Sequence, residues 1–234
     1  MHEYYKGRKK KYIKKLRKQL DIASDELMTC FNTSYEQVLT EVIDCFVSDL
    51  LEDMPYIGIG NQHEIDLVDS CYWVAVFVVG KKHGLNVDII GKIMTDAYEK
   101  MYSMPQFTGK VVKFLAKRKI FQTVLKIYTK SHKKAAGKYN YAWDYEYKEP
   151  DDAFSHKMVC TKCGFAKYMK DKGDLEFMPY ICNLDYLVFG NMGLPLYREN
   201  VIGCGDECCT MFFKIDQEVQ SIWPPHAIRG DGYK

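Results

Sequence analysis

The sequence has no apolar run long enough to cross a bilayer. Its strongest candidate, CYWVAVFVVG at 71–80, ends at Lys81 and Lys82 and falls well short of the roughly 20 residues a spanning helix needs. It therefore reads as buried core. The basic start MHEYYKGRKKKYIKKLRKQL has no apolar segment or small-residue cleavage site behind it, so no export signal and a cytoplasmic location are expected. Neither the Walker nor the dinucleotide glycine pattern occurs, and no cofactor is expected. Internal repeats and low-complexity segments are also missing, which excludes a repeat array.

Cysteines are present but lack the dense spacing of a small secreted scaffold. They stand at 30, 45, 71, 160, 163, 182, 204, 208 and 209, and are expected as reduced thiols open to nucleophilic, redox or metal roles. Cys30, Cys45 and Cys71 lie in apolar surroundings and read as inert core residues. Acid is missing from two tracts: residues 6–18 hold nine Lys or Arg and residues 100–143 hold eleven, although the net charge is only +2. Such tracts suit nucleic acid, anionic lipid, an acidic partner, or simply a solvated lysine face. No helix-turn-helix, finger or interleaved aromatic motif accompanies them, which argues against nucleic acid.

What is there is a soluble globular balance, 47% hydrophobic and 27% charged over 234 residues, enough for one core or two small packed subdomains. Tyr12, Ile13, Leu16 and Leu20 make a helical stripe, and Val38, Val42, Ile43, Phe46, Val47 and Leu50 make another before Pro55. Further helices are predicted over 65–82 and 86–103. Residues 108–136 form a basic amphipathic helix, kinked near Lys119, whose face of Val111, Val112, Leu115, Phe121, Val124, Leu125 and Tyr128 is expected to pack against the rest of the protein.

After Gly137 the pattern changes. YNYAWDYEYK and SHKMVCTKC read as a strand pair, CGFAKYMKDKG and DLEFMPYICNLDYLVFGNMG as helices, and LPLYRENVIG and CCTMFFKI as two more strands. The expected class is α+β: a helical region over 1–136 and, over 137–234, an antiparallel four-stranded sheet with helices on one face, the two packed as one globular unit. The tail QSIWPPHAIRGDGYK, with His226, reads as irregular.

The chemistry-bearing residues lie in the second half. Cys160 and Cys163 form CTKC, a spacing that supplies two zinc ligands or a redox pair. A second short-spaced pair is missing, and the element order is not thioredoxin-like. In CNLD, Cys182 and Asp185 share a helix face, where a thiolate can attack an electrophilic carbon and a carboxylate can move a proton. His156 is a secondary candidate to relay a proton or contact a ligand. Cys208 and Cys209 are adjacent, so in a strand they face opposite sides.

CGFAKYMKDKG from Cys163, then CNLD, then Arg198 in YRENVIG, then GDECCTMFF form an ordered series that resembles the L-2-amino-thiazoline-4-carboxylic acid hydrolase family. The resemblance spans roughly residues 150–215. It implies catalytic roles for Cys163, Cys182, Asp185 and Cys209, a substrate-carboxylate contact for Arg198, and an opening of the last element by Gly205 and Asp206, with Asp206 on the substrate side. The chain departs from the pattern at Thr210 (an acid in the family), Met211 (an aromatic) and Val201 (a threonine). The implied activity opens a small cyclic amidine with water to give a carbamoyl-cysteine. The implied partner is a carboxylate-bearing small molecule, and a homo-oligomer is left open. The alternative is a noncatalytic small-molecule sensor or thiol metal-binding module.

Overall fold

A computed structural model describes residues 1–102, 106–215, 217 and 223–225. His226 and most of the predicted irregular tail lie outside the described residues. The chain divides into two compact units, Met1–Met101 and Tyr102–Lys234.

The first unit is helical: α1 Glu3–Lys6, α2 Lys9–Leu20, α3 Ser24–Phe31, α4 Tyr35–Cys45 running into a π-helical turn at Phe46–Leu51, α5 Glu64–Lys82 and α6 Val87–Tyr102, whose last residue enters the second unit. Ser34 accepts the Gln37 amide and caps α4, satisfying one of the amides that a helix start leaves unpaired. α5 is apolar on all sides because it is the core. Cys71, Tyr72, Trp73, Val74, Ala75, Val76 and Phe77 are all buried. The Tyr72 hydroxyl donates to the Tyr12 carbonyl at 2.9 Å, tying α5 to α2. Cys45 and Cys71 are buried as expected, and Cys30 is half-buried.

The second unit holds α7 Gln106–Ala116, α8 Lys119–Ala136, β1 Asp144–Lys148, β2 His156–Lys162, α9 Gly164–Asp171, α10 Met178–Asn191, β3 Leu196–Tyr197 and β4 Cys209–Phe213. The four strands form one antiparallel sheet in the order β1-β2-β4-β3. Residues opposed across antiparallel strands point to the same face. Tyr145, Cys160 and Cys209 therefore form one row, and His156, Phe213 and Leu196 another on the same side. The helices cover this side: Tyr128 and His132 of α8 lie 5.4 and 5.3 Å from Tyr145. Phe189 of α10 lies 5.0 Å from Phe213.

Three elements differ from their sequence reading. The single kinked helix over 108–136 is two helices, because Arg118 turns to an extended conformation (φ −97°, ψ 146°). The first strand starts at Asp144, since 139–143 is a turn whose Tyr141 carbonyl packs on Gly164. β3 stops after two residues because side chains take the amides that a ladder would use. Thr210 Oγ1 accepts from Glu199 and Asn200 N–H at 2.7 and 3.1 Å, and Asp206 Oδ2 accepts from Val201 N–H at 2.6 Å.

Gly164 opens α9 where a Cβ would sit 1.8 Å from the Tyr141 carbonyl oxygen. Gly164→Ala is expected to lower unfolding stability by about 3 kcal/mol in chemical denaturation. Gly137→Ala, with ordinary 3.7 Å contacts, is expected to be neutral to within about 0.5 kcal/mol. Equal stabilities for the two variants would refute this account of the β2–α9 junction.

Candidate active site

The sheet register builds one wall. Cys209 in β4 pairs with Cys160 in β2, and Cys160 with Tyr145 in β1. Just past β2, Cys163 becomes the N-cap of α9 and its Sγ accepts the Ala166 amide at 3.4 Å. The CTKC thiols thus make separate contacts: Cys160 lies in the sheet row and Cys163 at the helix start.

α10 supplies the opposite wall, with Cys182 and Asp185 one turn apart. Onto it folds the turn Ile202–Cys204, closed by Gly205 at φ 105° and by Asp206 reaching back to Val201. A Cβ at Gly203 would sit 2.6 Å from Cys182 Sγ and 2.9 Å from Met178 Cε. Only glycine allows this approach. The turn in consequence aims the Ile202 N–H at Cys209 Sγ, 3.2 Å away.

Arg198 links the walls. It is 2% exposed. Nη1 donates to the Cys182 carbonyl at 2.9 Å, Nη2 pairs with Asp185, and the guanidinium stands 5.9 Å from the Tyr186 ring centroid. Nε has no hydrogen-bond partner among the described residues. Burial opposes the charge, yet Asp185 and the neighbouring thiols hold the guanidinium firmly protonated.

The thiols separate electrostatically. Cys209 is brought down from 9.0 to about 7, chiefly by the Cys160 thiol facing it across the strand pair, with Arg198 and the Ile202 amide adding to the effect against burial; the Cys160 S–H itself donates to the Lys162 carbonyl at 3.3 Å. Cys160 moves well up for the reciprocal reason, the facing Cys209, reinforced by burial. Burial pushes Cys163 up to about 12 and Cys182 well above its ordinary value. Tyr145, buried beside Cys160, also stays protonated. The negative charge of the cluster therefore resides on Cys209.

The structure brings together Cys163, Cys182, Asp185, Arg198 and Cys209, with Asp206 holding the turn that contacts them. It does not bring His156. That ring lies four residues along β2 from Cys160, about 13 Å at strand rise. Its Nε2 is 2.6 Å from the Ala116 carbonyl and it packs 4.7 Å from Phe121. Burial holds the imidazole neutral, so Nε2–H donates to that carbonyl, joining β2 to the end of α7. Three contributors were not assigned to this site from sequence: Cys160 as the thiol facing Cys209, Tyr145, and the Ile202 amide. Pairing register connects the first two and a loop conformation supplies the third, and neither is written in local spacing. Among the described residues, no three or more His, Cys, Asp or Glu are arranged to hold a metal ion.

The fold and site define an α+β protein with a thiol cluster gathered around a buried arginine. Residues 86–213, more than half the chain, match the family model described as L-2-amino-thiazoline-4-carboxylic acid hydrolase. The chain belongs to that hydrolase family. No curated protein and no solved structure matches it.

The reactive thiol is testable without any substrate. A thiol brought down to about 7 is thiolate above that pH, so iodoacetamide labelling of Cys209 should rise through about pH 7 and level off above it. In Cys160→Ala the rise should move toward higher pH, because the facing thiol that favours the thiolate is gone. Residue-resolved mass spectrometry reads both, and an unshifted profile in Cys160→Ala would contradict the role given to Cys160.

Proposed function

We propose that the protein hydrolyses a 2-amino-thiazoline carboxylate, of which L-2-amino-thiazoline-4-carboxylate is the family's own example, with Cys209 as nucleophile. The observation that carries this reading is the partition of the thiols. In a cluster of buried sulfurs, Cys209 is the one lowered toward thiolate, between the Arg198 guanidinium and the Ile202 amide.

The ring carbon between sulfur and nitrogen is electrophilic once the ring nitrogen is protonated. The Cys209 thiolate adds to that carbon, and the ring carbon–sulfur bond breaks with its electron pair on sulfur, which takes a proton. Water then adds to the same carbon and the Cys209 thiolate departs, leaving a carbamoyl group on the cysteine nitrogen. Substrate plus one water balances the product. Asp185, whose side chain is 43% exposed, accepts hydrogen bonds from the amidinium and places the carbon against the sulfur. Arg198 has both terminal nitrogens engaged by Asp185 and the Cys182 carbonyl. In this reading it serves the thiolate and Asp185, and another group contacts the substrate carboxylate. Cys182 and Cys163, held protonated by burial, line the site. Asp206 positions the turn and His156 supports β2 from a distance.

The test is turnover of L-2-amino-thiazoline-4-carboxylate, followed as product by mass spectrometry. Cys209→Ala is expected to lower kcat/KM by at least about a thousandfold, and Cys182→Ala by far less. The wild-type rate should fall as pH drops through about 7, where Cys209 takes up its proton. Full turnover in a folded Cys209→Ala would remove the nucleophile assignment. Binding without turnover, unchanged in that variant, would move the chain to a sensor.

A further inference from the structure

The apolar face predicted for 108–136 is only partly used by the core. On α8, Leu125, Thr129 and His132 are buried, while Ile120, Val124 and Ile127 are 64%, 52% and 64% exposed. Their spacing, four and then three residues, lines them up on one side of the helix, away from the buried stripe. On α7, Val111, Phe114 and Leu115 are 40%, 57% and 47% exposed, again one stripe. Scattered exposed aliphatics are ordinary, but two unburied stripes on consecutive helices make a surface that attracts an apolar partner.

The charge around these stripes has one sign. No Asp or Glu occurs from 100 to 143, against eleven Lys or Arg. Lys130 and Lys134, both exposed, continue the side of α8 that carries Ile127, and the Arg118 guanidinium lies 4.6 Å over the Phe114 ring. Of the acids that follow, Glu146 is matched by Lys148 at 2.8 Å and Glu149 by Lys126 at 2.9 Å.

We infer that the exposed faces of α7 and α8 dock on an anionic lipid surface, the exposed aliphatic stripes entering the acyl boundary and the lysines meeting the headgroups. Apolar stripes bordered by Lys and Arg are the arrangement that lies in a bilayer interface without crossing it. Charge separates this occupant from the others. A second copy would oppose two cationic faces and repel, and a nucleic acid would use the lysines while leaving six large apolar side chains in water. The inference is independent of the chemistry assigned to Cys209.

The experiment is co-sedimentation of the full chain with phosphatidylcholine vesicles, with and without phosphatidylglycerol. Binding is expected to the anionic vesicles only and to weaken as salt rises. Ile120→Ser/Ile127→Ser should reduce it by at least about tenfold, and Lys130→Gln/Lys134→Gln should reduce both the binding and its salt dependence. These side chains are exposed, so circular dichroism and the Cys209 labelling profile should match wild type. No binding to anionic vesicles, or equal binding by the isoleucine variant, would overturn the inference. So would a dimer in light scattering that the isoleucine substitutions dissociate, or a nucleic-acid duplex retained in preference to vesicles.

Discussion

The second unit is organised around one buried cation. Removing a guanidinium from water costs several kcal/mol unless its donors are met, and Arg198 offsets part of that cost through Asp185 and the Cys182 carbonyl, both on α10. Those two contacts fix the 198 segment against the helix, so the chain that follows must turn over Cys182, where only glycine fits at 203. The turn in its place delivers the Ile202 amide to Cys209. Because Asp185 is partly solvated, it neutralises the guanidinium incompletely in the protein interior. The remaining positive potential favours a thiolate at Cys209. Packing, loop conformation and reactivity thus follow from the same ion pair.

Identical side chains acquire different chemistry here because their surroundings differ. Cys160, Cys163, Cys182 and Cys209 all suffer from burial, which by itself opposes ionisation. Cys163 also accepts a backbone amide and Cys182 also feels the guanidinium; what separates Cys209 is that it combines an amide, the guanidinium and the Cys160 thiol directly across the strand pair. Once one thiol of such a group is ionised, its charge makes ionisation of the next harder. The cluster therefore favours a thiolate at Cys209 over one at Cys160, Cys163 or Cys182.

The elements that were legible in the sequence are those set by local periodicity. The stripe of Leu16 and Leu20, the all-apolar stretch of α5 and the Cys182–Asp185 spacing each speak for one helix, and each helix is present. The elements misjudged are those where side chains outcompete the backbone or where distant segments meet. LPLYRENVIG has the composition of a strand, but the Thr210 hydroxyl and the Asp206 carboxylate occupy its amides and cut β3 to Leu196–Tyr197. Thr210 stands where the family pattern carries an acid. Its hydroxyl receives two backbone donors on the sheet side opposite Cys209, so this departure bears on the wall behind the site and leaves the thiol row intact. The partnership of Cys160 with Cys209 was out of reach for a different reason. It depends on which residue of β2 opposes which of β4, and a one-residue shift of β4 would turn Cys209 to the face away from Cys160.

A helix that served only to cover the sheet would need one apolar stripe, and on α8 that stripe runs through Leu125 toward His132 and Tyr145. Ile120, Val124 and Ile127 add nothing to that packing, and polar residues there would be no less stable. Neighbouring acids would likewise offset the lysines if a solvated face were all that was needed. The stripe and the acid-free charge together define a surface whose composition the fold itself does not require, on the helix whose inner face supports the wall of the thiol cluster.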